Sequence, residues 1–360
     1  MTFAVVALPG DGVGVEVTAA AVAVLRAVAG TAGIDLVTEE RLIGGRAIEE
    51  TGGPLPDDTL SACRTADAVL LGAVGGPRWD HLSGGQRCEA GLLGLRAGLG
   101  VFANLRPVRP HPRLVGLTAL RPGAVAGVDL VVVRELTGGA YFARPKRRDA
   151  LRAVDTIVYT RDEVERVARV AFSLASQRRG RLTSVDKANV LATSELWRET
   201  VSSIALEFPA VTLEHALVDS FAMRLVQRPR DIDVVVTENL FGDILSDEAG
   251  VLVGSLGLLP SASLGAGGPG LYEPVHGSAP EIAGMDCANP YGAILSVALM
   301  LRHSLQRPDL GAAVEAAVDA CIDDGVLTAD LGGTTGTAAV GEAVVAALAA
   351  GARVTAEVGS

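Results

Sequence analysis

Aromatic residues make up only 4% of the 360-residue chain, and its four cysteines, Cys63, Cys88, Cys287 and Cys321, lie far apart with no C-x-x-C pair. That spacing gives neither a zinc ribbon nor a disulfide framework, and the thiols read as reduced groups in a cytoplasm. The five histidines are scattered, and no two have metal-ligand spacing. Basic residues are the minority, 31 Lys+Arg against 42 Asp+Glu, for a formal charge of −11. A field of that sign argues against a general nucleic-acid binder, although a local arginine cluster can still hold a small anion. No apolar run reaches transmembrane length without a charge, since even 243–260 carries Asp243, Asp247 and Glu248. The apolar run after Met1 has no Lys or Arg ahead of it and is cut short by Pro9-Gly10-Asp11, which fits a first buried strand better than a signal peptide. The expectation is a soluble, cytoplasmic protein with neither nucleic acid nor membrane as partner.

What the chain has in quantity is small and apolar residues: 49% hydrophobic, 20% charged and 43 glycines. This is a globular composition, and the length is ample for a large core in one large or two ordinary domains. Runs rich in Val, Ile and Leu at 3–8, 68–74, 128–133, 182–185, 211–213 and 232–236 alternate with longer amphipathic stretches. That alternation predicts an α/β fold with strands buried on both faces. Over 162–176, Val164, Val167, Ala168, Ala171 and Leu174 line one helical face opposite Asp162, Glu163, Glu165 and Arg166. Further helices are predicted over 193–204 and in the Ala-rich 311–350, interrupted at Asp330–Gly336. Ser263–Gly270 reads as a loop.

Leu8-Pro9-Gly10-Asp11-Gly12-Val13-Gly14 lies between a strand and a helix and superficially resembles a dinucleotide fingerprint. Its spacing is G-x-G-x-G, not G-x-G-x-x-G, so a tight strand-to-helix turn is the better reading.

Chemistry concentrates at the ends of predicted strands. In Val234–Asp247 a buried strand runs through a polar turn into a helix, with Asp243 and Asp247 at i, i+4 on one face. Such a pair is either a site for an oxygen-loving divalent cation, Mg²⁺ or Mn²⁺, or two acids favoured by the helix dipole. Other strands give way to Arg134-Glu135 with Tyr141 beyond, to Asp186-Lys187, and to Asp219. Polar groups at the carboxyl ends of such strands are where ligands bind in α/β sheets. Between Arg96 and Arg148 lies a locally cationic stretch, and guanidinium forks suit a di- or tricarboxylate. His276 sits in a turn-rich string, Glu273-Pro274-Val275-His276-Gly277-Ser278-Ala279-Pro280-Glu281-Ile282, which on its own reads as an ordinary loop.

Taken together, these segments resemble the β-decarboxylating dehydrogenases of the isocitrate/isopropylmalate family. The resemblance covers nearly the whole chain, and its specific motifs are Val133-Arg134-Glu135-Leu136-Thr137-Gly138-Gly139, Val185-Asp186-Lys187-Ala188-Asn189-Val190 and Gly242-Asp243-Ile244-Leu245-Ser246-Asp247. It implies a two-domain open α/β sheet fold, not Rossmann. Residues 1–101 plus 255–360 would form the cofactor-binding domain and 102–254 the substrate and dimerisation domain of a homodimer with shared active sites. It also implies a carboxylate clamp of Arg96, Arg106 and Arg134, a metal site of Asp243 and Asp247 joined by Asp219 of the other subunit, Lys187 from that subunit as base, and Tyr141 as acid. Lys187 is expected to be buried beside the metal and Arg134.

The apolar Leu92 and Leu93, with Val190, match positions that contact an isopropyl group. Glu281 matches an acid that holds the adenosine ribose and repels a 2′-phosphate, which favours NAD over NADP. Glu273, His276, Gly277, Ser278, Ala279, Pro280, Ile282 and Asn289 complete the expected cofactor set. The implied activity is NAD-dependent oxidative decarboxylation of 3-isopropylmalate to 2-oxoisocaproate and CO2 in leucine biosynthesis. Ala90, where Thr is common, and Glu281, where Asp is common, leave room for another 3-substituted malate, D-malate or tartrate. A non-catalytic subunit is the reading from another class, disfavoured because the whole catalytic set is present.

Overall fold

The structure, a computed structural model, describes residues 2–358, with side chains to residue 351; Met1 and residues 359–360 lie outside the described residues. The chain divides into two units, Met1–Val101 with Ser255–Ser360, and Phe102–Gly254.

In the first unit, strand Thr2–Gly10 lies between the parallel strands Asp35–Glu40 and Ala68–Ala73. Gly270–Pro274 adds in parallel to Ala68–Ala73 and turns back antiparallel to Pro260–Gly265. Val5, Val6, Leu8 and Val69–Leu71 are buried, as a parallel sheet covered on both faces requires. Gly14–Thr31 and Tyr291–His303 pack on these strands, and Pro308–Asp323 and Thr337–Val358 pack on those helices. Gly14–Thr31 is the one helix among the described residues long and apolar enough by composition to cross a membrane. It carries Glu16 and Arg26, however, and its Val17, Val24, Leu25 and Val28 are core residues, packed between the strands and the helices Tyr291–His303 and Thr337–Val358.

The second unit holds Leu130–Glu135, Val234–Thr237, Arg181–Asp186 and Thr212–Leu217 in that spatial order, all parallel, with Val101–Val108 antiparallel beside the first. Val131–Val133 and Val234–Val236 are buried throughout. Helix Arg161–Ser176 starts at a complete capping box, in which the Thr160 hydroxyl accepts from the Glu163 N–H and the Glu163 carboxylate accepts from the Thr160 N–H. Of its predicted stripe, Val164, Val167, Ala168 and Ala171 are buried, while Leu174 is half-buried and Phe172 fills the core in its stead; the next helix, Ala192–Ala205, buries Trp197. The α/β class read from the sequence is therefore the observed one.

One expectation is corrected. Ser263–Gly270 is not a loop throughout, because Ser263–Gly265 closes one strand and Gly270 opens the next. The glycines there serve close packing rather than flexibility: a Cβ on Gly265 would collide with the Gly100 carbonyl, and one on Gly270 with the Tyr272 ring.

His303, at the end of its helix, is half-buried, and burial, helped by the Arg302 charge, holds its imidazole down at about 4. Burial likewise lowers His215 and His276. Below the ordinary value of 6.5 the unfolded chain takes up protons that the folded chain refuses, so stability falls as the pH drops from neutrality towards 4. The acid-induced loss between pH 7 and pH 5, measured by urea unfolding, should be smaller in His303→Gln than in the wild type by about 2 kcal/mol. Equal losses would remove His303 from this account.

Candidate active site

The parallel register of the second unit sets the chemistry. Thr237 is paired with Arg134 on one side and Val185 on the other, and Asp186 with Leu217. The carboxyl ends of four neighbouring strands thus lie along one edge, carrying Arg134, Lys187, Asp219 and the helix Asn239–Gly250. Asn104 faces Arg134 across the antiparallel strand, and Arg106, two residues on, shares its side of the pleat.

Arg134 is 3% exposed. Its Nε and Nη2 donate to Asn239 Oδ1 at 3.1 and 2.9 Å, and its Nη1 donates to Asp243 Oδ1. Gly242 makes room for the arginine stem, since a Cβ there would overlap it. Tyr141 Oη donates to Asp243 Oδ2 at 2.5 Å, and the guanidinium carbon of Arg134 lies 5.4 Å from the Tyr141 ring centroid. Arg106 reaches the same helix, where its Nη1 donates to Ser246 Oγ at 2.7 Å and Asp247 Oδ1 at 3.0 Å, while its Nη2 comes within 3.7 Å of Asp243. Asn104 Oδ1 accepts from Arg106 Nε at 2.9 Å.

Burial opposes ionisation of Asp243, but Arg134, the Tyr141 hydrogen bond and Arg106 overcome it and hold the carboxyl below its usual range. Tyr141 moves the other way. Burial, the hydrogen bond to Asp243 and that carboxylate's charge together raise the phenol, against Arg134. The pair is a carboxylate poised to stay charged beside a hydroxyl poised to keep its proton.

The loop bearing Tyr141 is tied down from below. Glu135 is wholly buried and accepts from the Thr137 N–H and hydroxyl and from the Gly138 N–H. Burial raises this carboxyl in spite of those bonds. Gly139, at φ +73°, packs so closely on Tyr159 that a Cβ would overlap its hydroxyl. Tyr159 in turn donates to Glu238, the residue that caps helix Asn239–Gly250.

Lys187 and Asp219 form a separate pair, with Nζ to Oδ1 at 2.8 Å. The lysine side chain is 26% exposed, and its cation is satisfied by the neighbouring strand end. Asp219 is lowered by its hydrogen bond with Lys187. Val190, three residues on, is 69% exposed. Asp186, beneath this loop, is buried and takes a two-pronged bond from Arg198 at 2.9 and 2.8 Å.

In the first unit, Leu92, Leu93 and Arg96 share a face of helix Cys88–Leu99, the leucines half-buried. Arg96 Nη2 donates to Glu273 at 2.6 Å, while its Nε is buried without a partner. The two residues expected to serve substrate and cofactor are thus bound to each other. Strand Gly270–Pro274 then opens into the loop bearing the remaining expected cofactor residues. Gly277, Pro280 and Glu281 are exposed, Ala279 and Ile282 half-buried, and Ser278 and Asn289 buried. Ala279 adopts φ +37°, costly for a residue with a Cβ. His276 Nδ1 bonds to the Gly277 carbonyl at 2.8 Å, leaving Nε2 buried and unpartnered. The Asn289 amide is committed at both ends, donating to Asp330 at 2.9 Å and accepting from the Tyr291 N–H at 3.0 Å.

These observations bear on what the residues can hold. Asp243 and Asp247 are an oxygen-only donor pair one helical turn apart, suited to Mg²⁺ or Mn²⁺. No group of three His, Cys, Asp or Glu residues suitable for a metal occurs among the described residues. The orphaned Nε2 of His276 and the exposed carboxylate of Glu281 fit a nucleotide with hydrogen-bonding groups. Within the second unit the structure therefore brings together Arg106, Arg134, Tyr141, Asp243 and Asp247, and separately Lys187 with Asp219.

Asn104 and Asn239 are hydrogen-bond partners of Arg106 and Arg134 that the sequence reading passed over. Asn104 had a signal, because its two-residue spacing from Arg106 puts both on one face of a strand. Another unused signal is that the chain has just two lysines, Lys146 and Lys187, among 31 basic residues. Arginine does not deprotonate in proteins, so apart from the five histidines these are the only basic side chains that can give up a proton and serve as a base.

Comparison with known proteins accords with this geometry. Residues 4–344 match the isocitrate/isopropylmalate dehydrogenase family. A 3-isopropylmalate dehydrogenase of Anaeromyxobacter dehalogenans is 57% identical over 353 residues, spanning 97% of this chain and 100% of the relative. One of Gloeobacter violaceus is 54% identical over 354 residues, 96% and 98% of the two chains. The solved isocitrate dehydrogenase of Methylococcus capsulatus superposes with a TM-score of 0.86 at 37% identity, covering 96% of this chain and 99% of that one. A β-decarboxylating dehydrogenase of Thermococcus kodakarensis gives 0.81 at 39% identity, over 97% and 96%. The chain is a member of the isocitrate/isopropylmalate dehydrogenase family.

Proposed function

We propose that this enzyme oxidatively decarboxylates 3-isopropylmalate with NAD, yielding 2-oxoisocaproate and CO2 in leucine biosynthesis. The observation that carries the reading is the cluster in which a carboxylate held ionised, Asp243, is shared by two arginines and a protonated tyrosine. Arg106 and Arg134 would bind the substrate's carboxylates, with Arg96, whose Nε lacks a partner, as a further carboxylate-binding residue. Leu92 and Leu93, beside Arg96 on one helix face, would receive the alkyl group. A third carboxylate buried against those leucines would be desolvated without compensation, which disfavours isocitrate.

Asp243 and Asp247, with Asp219 of a second copy, would hold Mg²⁺ or Mn²⁺, which supplies Lewis acidity at the substrate hydroxyl and at the oxygen that gains charge as CO2 leaves. NAD, held by the loop from Glu273 to Asn289 with Glu281 on the adenosine ribose, supplies the hydride acceptor. Lys187 would take the hydroxyl proton as the carbinol hydride departs. After loss of CO2, Tyr141, whose environment keeps it protonated, would deliver a proton to the carbon. Lys187, Asp219 and the exposed Val190 would complete the site of a second copy in a homodimer, which accounts for the pairing of Lys187 with Asp219 in the single chain. Residues 1–101 with 255–360 would carry the cofactor, and 102–254 the dimer contacts and most of the substrate's ligands.

With NAD and Mg²⁺, kcat/KM is expected to be highest for 3-isopropylmalate when compared with D-malate and a bulkier 3-substituted malate. A tenfold preference for either of the others would overturn the substrate assignment. Glu281→Lys should lower kcat/KM for NAD at least tenfold while leaving the KM for 3-isopropylmalate unchanged. Lys187→Met should abolish turnover and retain NADH binding. Mixing it with the equally inactive Asp243→Asn should restore about a quarter of wild-type activity through hybrid dimers with one intact site. A mixture as inactive as its components would show that Lys187 acts within its own chain.

A further inference from the structure

The turn Gly10-Asp11-Gly12, which is not a phosphate-binding fingerprint, has a different use. Asp11 is 2% exposed, and all the polar groups that meet its carboxylate are backbone N–H donors. Oδ2 accepts from Gly45 at 2.7 Å and from Gly75 at 2.8 Å, and Oδ1 accepts from Arg46 at 2.9 Å. Among the described residues no basic side chain pairs with it. Its charge is instead met by the N-terminus of helix Gly44–Thr51, whose own N-cap, Ile43, has no side-chain acceptor to offer. Gly44, at φ +76°, lies so close that a Cβ would overlap the carboxylate.

The other half of the turn grips a different segment. Val13 N–H donates to the Ser278 carbonyl at 2.8 Å, and a Cβ on Gly12, at φ +57°, would collide with that carbonyl. Asp11 N–H donates to the Ala73 carbonyl at 2.8 Å, which fixes the turn to the strand that leads into Gly75-Gly76. The short turn from Gly10 to Val13 therefore sets the positions of a helix start, the Gly75-Gly76 loop and the loop through Ser278. Gly75 and Gly76 also line a cavity of about 240 Å³ with Trp79, Arg87, Cys88 and Glu89.

We propose that Asp11 is a positioning residue for the nicotinamide cofactor. Its carboxylate, anchored on Gly45 and Gly75, fixes the turn whose Val13 N–H holds the Ser278 carbonyl, so that the Ser278 loop meets the dinucleotide already ordered and the ordering is not charged against binding. This rests on the proposed assignment of the loop from Glu273 to Asn289 to the cofactor. Asp11→Asn keeps the size of the side chain but replaces one acceptor oxygen by an amide donor, which faces N–H groups it cannot satisfy.

The test is titration of NADH fluorescence into the wild type and Asp11→Asn, with steady-state kinetics and backbone amide exchange on both. The variant is expected to bind NADH at least tenfold more weakly and to show a matching rise in KM for NAD. Its kcat should stay within threefold and its KM for 3-isopropylmalate within twofold, while exchange rises in residues 44–47, 74–77 and 275–280. A variant that melts earlier but binds NADH as tightly as the wild type would reduce Asp11 to a stabilising residue and overturn the proposal alone. A wild-type protein that binds no NADH would instead overturn the cofactor assignment on which it rests. Should Asp11→Asn fail to fold, Gly12→Ala strains the same turn from its Ser278 side, and a Kd for NADH unchanged in that variant also overturns the proposal.

Discussion

A guanidinium removed from water cannot be left unpaired, and Arg134 imposes that demand on the second unit. The strand that carries it is buried on both faces, and its fork finds partners among the residues that follow the neighbouring strand, Val234–Thr237. Asn239 takes two of its donors and Asp243 the third, and Gly242 leaves space for the stem. Once Asp243 is fixed by Arg134, it fixes Tyr141 and draws Arg106 to the same helix face. The geometry of the cluster is in this sense the set of ways one buried cation is neutralised.

That neutralisation also divides the labour between groups of similar chemistry. Asp243 and Asp247 lie one turn apart on one helix, yet Asp243 is flanked by two arginines and a phenol, whereas Asp247 is largely exposed and shares only Arg106. Asp219, on the next strand end but one, is held by Lys187. Three carboxylates that composition counts alike are set in three electrostatic environments. The formal charge of −11 says little about any of them.

The first unit follows the same rule with the sign reversed. Among the described residues no cation pairs with the buried Asp11, and it gathers backbone N–H groups from segments that would otherwise have no reason to meet. The consequence is order in two loops at the ends of strands, where an α/β sheet binds its ligands. His276 Nε2 and Arg96 Nε are two of six buried side-chain atoms left without a partner among the described residues, and both belong to residues expected to meet a ligand.

Much of this was legible in the chain. Continuous runs of Val, Ile and Leu marked the parallel strands, because a strand covered on both faces has no polar side to show. The 3.6-residue stripe in Arg161–Ser176 and the i, i+4 spacing of Asp243 and Asp247 follow from helix geometry alone. The long motifs around Arg134, Lys187 and Asp243 carried the family. Strand-forming glycines at 265 and 270 were not legible, since only the approach of Gly100 and Tyr272 explains them. Nor were the pairings of Asn239 with Arg134, Arg96 with Glu273, and Asp11 with Gly45 and Gly75, which join residues 105, 177, 34 and 64 positions apart. The sequence by itself determined which segments are strands and helices and which side chains have the chemistry to act, because both are written in local spacing and residue type. Which of those side chains meet was decided by the tertiary structure alone, because strand order and register choose the neighbours, and a bond across a hundred residues leaves no periodic trace in the chain.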